Sequence, residues 1–241
     1  EAGIRDAQES RGLGDVYKRQ SIKFTRMIKH TDIKLLPKKV AIFPLTGAVL
    51  FPGTQLPLNI FEPRYVQMID DALASPGRVI GMIQPSKPGE KTLKKVGCLG
   101  RISTFNEAED NRYLITLSGT IRFEIEEELN TTTAYRQIIP DYSQYNSDLE
   151  HQNVDTIDRS KLLALVKRYL ENRKILADWE IIKETPTEQL INYSGILVPF
   201  TSEEKQLLLE SKTIITRSHV LEALYQSYIF DGPNKKSDQL H

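Results

Sequence analysis

Phe43 to Tyr65 reads FPLTGAVLFPGTQLPLNIFEPRY. Large apolar residues fill the stretch, but Pro44, Pro52, Pro57 and Pro63 interrupt it, with Pro37 just upstream. Without prolines, a run this apolar would read as a core helix or strand. Each proline removes a backbone donor and fixes φ, so no long regular element can pass through. The stretch therefore predicts a short strand at Val40 to Phe43, then a buried and tightly specified loop, then a helix. The helix starts at Pro63, a first-turn position where the missing N–H costs nothing.

Working outward, Tyr65, Val66, Ile69, Ala72 and Leu73 recur at helical spacing, and Ser75-Pro76-Gly77 closes that helix near Ala74. Arg78 to Gln84 reads as a short buried strand, and Pro85 to Lys91 as a polar loop. Val96 to Glu107 reads as a long strand with Gly97 and Gly100 as bend or bulge sites. A turn at Glu109-Asp110-Asn111 leads into a strand at Arg112 to Leu117, and a second turn at Ser118-Gly119-Thr120 into another at Ile121 to Glu128. In the latter, Ile121, Phe123 and Ile125 alternate with Arg122, Glu124 and Glu126, the period of a half-buried antiparallel strand. Ala134 to Tyr142 supplies one more strand. Short sequential strands of this kind often close into a small barrel.

Asp141 to Asp158 is polar and patternless. Beyond it, helices are predicted from Asp158 to about Ala177, from Thr187 to Leu197, after Thr201, and from Ser218 to Phe230. The expected organisation is a tail at 1–37, a strand-rich unit at 38–142, a linker at 143–157, a helical unit at 158–230 and a disordered tail at 231–241. Gly12 to Gln20 resembles translated adapter sequence, so native sequence is expected to begin at Met27; the competing reading is a basic, disordered tail.

The chain has 241 residues, 39% hydrophobic and 27% charged, enough to build a core. Lys and Arg number 32 and Asp and Glu number 32, so the balance argues against a general nucleic-acid binder. Cys98 is the only cysteine, which excludes an intrachain disulfide and fits a reducing compartment; a cytoplasmic location is expected. No apolar run is long enough for a membrane span. Gly89-Glu90-Lys91-Thr92 is the nearest approach to a phosphate-binding loop. It lacks both the first glycine and the Gly-Lys step. No serine sits in a Gly-x-Ser-x-Gly elbow. His30, His151, His219 and His241 are too scattered to predict a metal site. Cys98, between glycines on a strand, reads as a small buried hydrophobe. No cofactor and no catalytic residue is expected.

The quoted stretch closely resembles the opening of the LON substrate-binding domain, the N-terminal domain of Lon-type ATP-dependent proteases. The residues that carry the resemblance are Phe43-Pro44-Leu45, Leu50-Phe51-Pro52-Gly53 and Leu56 to Tyr65. Ala177-Asp178-Trp179, Pro199-Phe200-Thr201, Glu204-Lys205-Gln206 and Leu221 to Leu224 resemble, more weakly, the helical half of stand-alone bacterial LON-domain proteins. The resemblance implies an α+β fold in which a PUA-like small β-barrel precedes a C-terminal helical bundle. It implies recognition of unfolded or degron-bearing polypeptide, without the ATPase and serine–lysine protease modules, for which no motif is found. An adaptor role, with the helical unit docking an ATPase or protease in trans, combines with that reading.

Phe51, Leu56, Ile60, Phe61, Glu62, Arg64 and Tyr65 are the candidate residues, either for contacting peptide or for holding the motif's structure. An exposed apolar groove could take an extended peptide by strand addition and side-chain pockets, with Leu50, Phe51, Leu56 and Ile60 lining it; the same residues could be core. Glu62 and Arg64 either face that groove or satisfy loop amides and carbonyls. Trp179 reads as an anchor between helices or a ligand stacker. Glu126-Glu127-Glu128 and Lys94-Lys95 read as solvated. The competing functions are an RNA-binding PUA-like protein, which a basic stripe along Arg101, Arg112, Arg122 and Arg136 would favour, and an enzyme whose site carries no motif.

Overall fold

The computed structural model describes residues 33–110 and 112–230. The expectations for Gly12 to Gln20, Met27, His30, Asn111, His241 and the tail at 231–241 lie outside them. Six strands form one mixed sheet: β1 (Val40–Pro44), β2 (Gln55–Ile60), β3 (Val79–Ile83), β4 (Val96–Glu107), β5 (Tyr113–Leu129) and β6 (Gln137–Asp141). Six α-helices accompany them among the described residues: α1 (Pro63–Ala74), α2 (Arg159–Asn172), α3 (Trp179–Glu184), α4 (Thr187–Leu197), α5 (Ser202–Glu210) and α6 (Ile214–Phe230).

Strand order is β2-β5-β4-β3-β1-β6, and β6 also pairs with β5, so the sheet closes. β1 and β3 run parallel; every other pair is antiparallel. Closure is uneven. The N-terminal part of β5 pairs with β2, and the part from Glu124 onward pairs with β6. The expected barrel is thus a closed but uneven sheet, because one long strand divides its second edge between two partners.

Two sequence expectations for β5 fail for identifiable reasons. Ser118-Gly119-Thr120 makes no turn; Tyr113 to Leu129 is one strand, with a register shift where Leu99 and Gly100 meet Ile121 and Gly119. Gly119 is needed for close approach: a Cβ there would lie 2.0 Å from the Phe51 carbonyl oxygen. Its N–H donates to Thr54 O at 2.9 Å, and its own carbonyl accepts from Gly53 N at 3.0 Å. Gly53 serves a different purpose, adopting φ +74 in open space. The second failure is Arg122, which alternation places on a wetted face but which is only 1% exposed. The 3-10 segment Ser143–Leu149 and the helices cover that face, so β5 is buried on both sides there.

The proline loop also holds a strand the prolines argued against. Gln55–Ile60 pairs along its whole length with β5 and with nothing else. As an edge strand it tolerates Pro57. The helix forecasts hold with adjusted ends. α1 spans Pro63–Ala74 as expected, burying Tyr65, Met68, Ile69 and Ala72. The helix expected to reach Ala177 stops at Asn172, and Lys174 beyond it takes φ +54. Trp179 opens the short α3, which was not anticipated, packing partly buried against the core. Thr201 caps α5 with a reciprocal capping box to Glu204. α6 starts at Ile214, ahead of Ser218.

Sheet and helices share a continuous apolar core, from Val40 and Phe51 through Phe123 to Phe200, Leu221 and Tyr225. Polar anchors cross the seam. Arg122 donates to both Asp148 oxygens, at 2.9 and 2.8 Å, and to the carbonyls of Leu209 at the end of α5 and of Ser211 and Lys212 after it. Lys205 donates to Gly47 O at 2.9 Å, and Gln84 bonds Ser202 O and Gln206 from the sheet side.

Candidate functional site

The chemistry of the opening stretch divides between core and surface once folded. Leu50 and Phe51 have no exposed surface, and Ile60 is 1% exposed. Phe51 packs beneath Arg217, whose guanidinium carbon stands 5.0 Å from the ring centroid. Arg217 in turn donates to Asn192 at 2.6 Å, and Asn192 donates to Pro52 O at 3.1 Å. Burial, and next the neighbouring Arg122, push the Arg217 pKa down. Phe51 and Ile60 thus hold structure. Thr54 completes the turn: its hydroxyl donates to Phe51 O at 2.7 Å, while Phe51 N donates back at 3.3 Å. Each of these bonds satisfies a backbone group that the buried loop would otherwise orphan.

Leu56, half-buried, lies on β2. Gln55 N donates to the Tyr193 hydroxyl of α4 at 3.2 Å, away from β5. Backbone groups alternate sides along a strand, so Pro57 and Asn59 face outward too. Tyr193 occupies the first outward donor and Pro57 has none, which leaves the Asn59 N–H as the outward donor of β2. Such an edge gives an added strand little to pair with.

Phe61 stands 65% exposed. Glu62 precedes α1 without capping it through its side chain; its carbonyl accepts from Tyr65 N and Val66 N instead. Its carboxylate takes both a 3.0 Å and a 2.7 Å bond from Arg64. The structural alternative for this pair, capping amides and pinning loop carbonyls, gives way to an exposed ion pair. Arg64 also lies over the Tyr65 ring at 4.5 Å. Tyr65 meets Phe43 edge-on, with centroids 4.5 Å apart, and burial pushes its hydroxyl pKa up against the opposing charge of Arg64.

Arg64 and Tyr65 share an open groove of about 1030 Å³. Its other walls are Pro44 at the end of β1 and Thr46 after it, Pro85 and Gly89 to Lys95 in the β3–β4 connection, and Ile125, Glu128 and Arg136 from the β5–β6 side. The connection folds back as a small hairpin, with Ser86 N donating to Thr92 O at 2.7 Å and Lys94 N to Gln84 O at 2.9 Å. Arg136 braces it, donating to Lys91 O at 2.7 Å while it grips both Glu128 oxygens at 2.6 Å. That grip holds the Glu128 carboxyl below its ordinary pKa. Lys95 pairs with Glu124 at 2.6 Å.

The sequence therefore located two groove residues, Arg64 and Tyr65, and missed the hairpin and Arg136. Lys94-Lys95 and Glu128 look solvated in sequence, and only β5–β6 pairing brings Glu128 to Arg136. The basic stripe does not assemble. Arg122 is buried, Arg112 pairs with Asp110 at 2.6 Å and Arg136 with Glu128. Cys98 is fully buried, and burial raises its thiol pKa, which suppresses the thiolate. Among the described residues no cluster of His, Cys, Asp or Glu could hold a metal, and no helix is long and apolar enough to cross a membrane.

The family model for the ATP-dependent protease La (LON) substrate-binding domain matches residues 39–225, which takes in the proline loop, the groove and the helices. The chain belongs to the LON substrate-binding domain family. The Lon protease of Flavobacterium johnsoniae is 28% identical over 181 residues, covering 72% of this chain and 22% of that protein. Lon protease 2 of Sorangium cellulosum is 33% identical over 91 residues, covering 36% of this chain and 11% of that protein. This LON-domain chain thus spans at most about a fifth of the length of these two relatives. Two solved structures share its fold. The N-terminal domain of Mycobacterium avium complex Lon protease superposes with a TM-score of 0.56 at 19% identity, covering 79% of this chain and 100% of that one. A Lon N-terminal domain protein from Xanthomonas campestris gives 0.52 at 21% identity, covering 77% and 97%.

Proposed function

We propose that this LON domain is a non-catalytic polypeptide-recognition module that engages unfolded or degron-bearing chains in its groove. One observation carries the reading: Arg64 and Tyr65, which end the family's proline-rich motif, line the open groove of about 1030 Å³. The groove is open to solvent, so an extended segment can lie in it without threading into a closed cavity. The groove mixes apolar walls at Pro44, Pro85, Leu93 and Ile125 with polar rims. Main-chain strand addition at β2 contributes little in this reading, because Tyr193 and Pro57 block that edge.

Residues 38–142 act as the recognition unit, their closed sheet an uneven version of a PUA-like barrel. The unit at 158–230, joined through 143–157, docks an ATPase or protease in trans, as an adaptor in the cytoplasm would. No step of chemistry is assigned to the chain.

The test is fluorescence anisotropy on residues 27–241. The protein is titrated into a labelled, permanently unfolded polypeptide and, in parallel, into labelled single- and double-stranded RNA. Saturable polypeptide binding that survives moderate salt, with weak salt-sensitive RNA binding, supports the reading. Tight RNA binding without a polypeptide signal overturns it in favour of nucleic-acid recognition.

A further inference from the structure

The charges around the groove are uneven. Arg64, Lys91, Lys94, Lys95 and Arg136 face it, against Glu90 and Glu128. Three of these cations have carboxylate partners: Arg64 with Glu62, Lys95 with Glu124 and Arg136 with Glu128. Glu90 pairs with Lys87 at 3.5 Å, outside the lining. Lys91 and Lys94 enter none of the ion pairs among the described residues. Both sit on the hairpin that Arg136 braces through the Lys91 carbonyl. Their backbones are therefore held while their ammonium groups stay open to a ligand.

We infer that the groove selects extended polypeptide segments carrying carboxylate side chains, with Lys91 and Lys94 as the selecting residues. The inference rests on the polypeptide-binding reading and adds the substrate's charge to it. An acidic segment meets two unpaired ammonium groups and gains a long-range attraction from the rest of the basic lining. A basic segment meets five cations at short range, and the two carboxylates facing it are already engaged. Leu93, Ile125 and the Tyr65 ring give such a segment apolar contact between its charges. RNA fits the same cations less well. A phosphate backbone carries a charge at every step and has no neutral stretch to lay against the carboxylates of Glu62, Glu124 and Glu128, as a peptide with spaced acids has, and Tyr65 is held edge-on to Phe43 rather than free to stack on a base.

Three fluorescein-labelled unstructured peptides test this. They share one frame of Leu, Ser and Gly and carry Glu, Gln or Lys at the same positions. Anisotropy on the full chain is expected to rank them Glu, then Gln, then Lys, with roughly tenfold between the extremes at low salt and less as salt rises. Lys91→Glu with Lys94→Glu is expected to remove or reverse that order. Lys91→Gln with Lys94→Gln is expected to flatten it, and circular dichroism on both variants checks that they fold. Equal binding of all three peptides overturns the charge selection and leaves the polypeptide reading standing. Binding of none overturns both. An order unchanged in folded double variants overturns the assignment to Lys91 and Lys94. Tighter binding of an equally charged RNA than of the Glu peptide overturns the inference in favour of nucleic acid.

Discussion

Two arginine sites, Arg122 on β5 and Arg64 in the first turn of α1, behave in opposite ways. At the seam, Arg122 is closed off from water, with Asp148 on one side and, on the other, carbonyls from the last turn of α5 and the two residues after it. At the groove, Arg64 pairs with Glu62 with about half of each side chain still exposed, at 52% and 44%. Both pairs measure under 3 Å, so distance does not tell them apart; solvent does. Removing one partner of a buried pair strands a charge, whereas water replaces a lost exposed partner. The seam therefore carries stability, and the groove can lose its internal pairs to a ligand at little cost to the fold.

The largest effect that would sharpen this contrast is expected from Arg122→Ala or Asp148→Ala, at about 3–5 kcal/mol in urea unfolding. The double change Arg122→Met with Asp148→Leu should cost clearly less than either single one. If it costs the sum of both, the seam pair is not a coupled unit.

Phe51→Ala, which empties the site beneath Arg217, is expected to cost about 3–5 kcal/mol by the same measurement. Gly119→Ala follows at about 3 kcal/mol, since its Cβ would sit 2.0 Å from the Phe51 carbonyl oxygen. A neutral Gly119→Ala result would show that the turn can back away from β5.

Alkaline titration gives a smaller effect. Burial, helped by a hydrogen bond to Asp71, pushes the Tyr135 hydroxyl up to about 12, and burial does the same for Tyr145. These phenols stay neutral in the folded chain while those of the unfolded chain ionise near the ordinary value of 10.0. Their contribution to stability is full below pH 10 and is lost as pH rises towards 12. The urea midpoint should fall across that window, and phenolate absorbance should appear there in step with unfolding. The smallest stability effect belongs to Arg64→Ala, expected at about 0–1 kcal/mol, yet it should weaken polypeptide binding. A large loss of stability from Arg64→Ala would break the contrast between groove and seam.

Much of the fold was legible from particular residues. Pro63 marked the start of α1, the spacing of Tyr65, Ile69 and Ala72 gave its buried side, and Val96 to Glu107 emerged as β4, its Gly100 at a register shift whose extra residue, Thr120, lies on β5. What failed depended on distant neighbours. Gly119 looked like a turn residue because sequence shows only that a side chain is missing, not that Phe51 O fills its place. Gln55 to Ile60 looked too proline-broken for a strand because nothing local shows that it lies on an edge. Arg122 obeyed the alternation, but the alternation does not reveal a second layer arriving from the helices. Of the site, the motif disclosed Arg64 and Tyr65. The hairpin lysines and Arg136 become neighbours only because β1 pairs with β3 on one side and β6 on the other.

Arg122 has one more consequence, for the order of assembly. Its carbonyl acceptors lie 87 to 90 positions further along the chain. As the polypeptide leaves the ribosome, the strands emerge complete while this guanidinium still lacks most of its acceptors. Until α4 and Arg217 of α6 arrive, Phe51 has no lid from the helices. A nascent chain of this kind is expected to complete its fold late and in one step, and to be a ready client for holding chaperones until then.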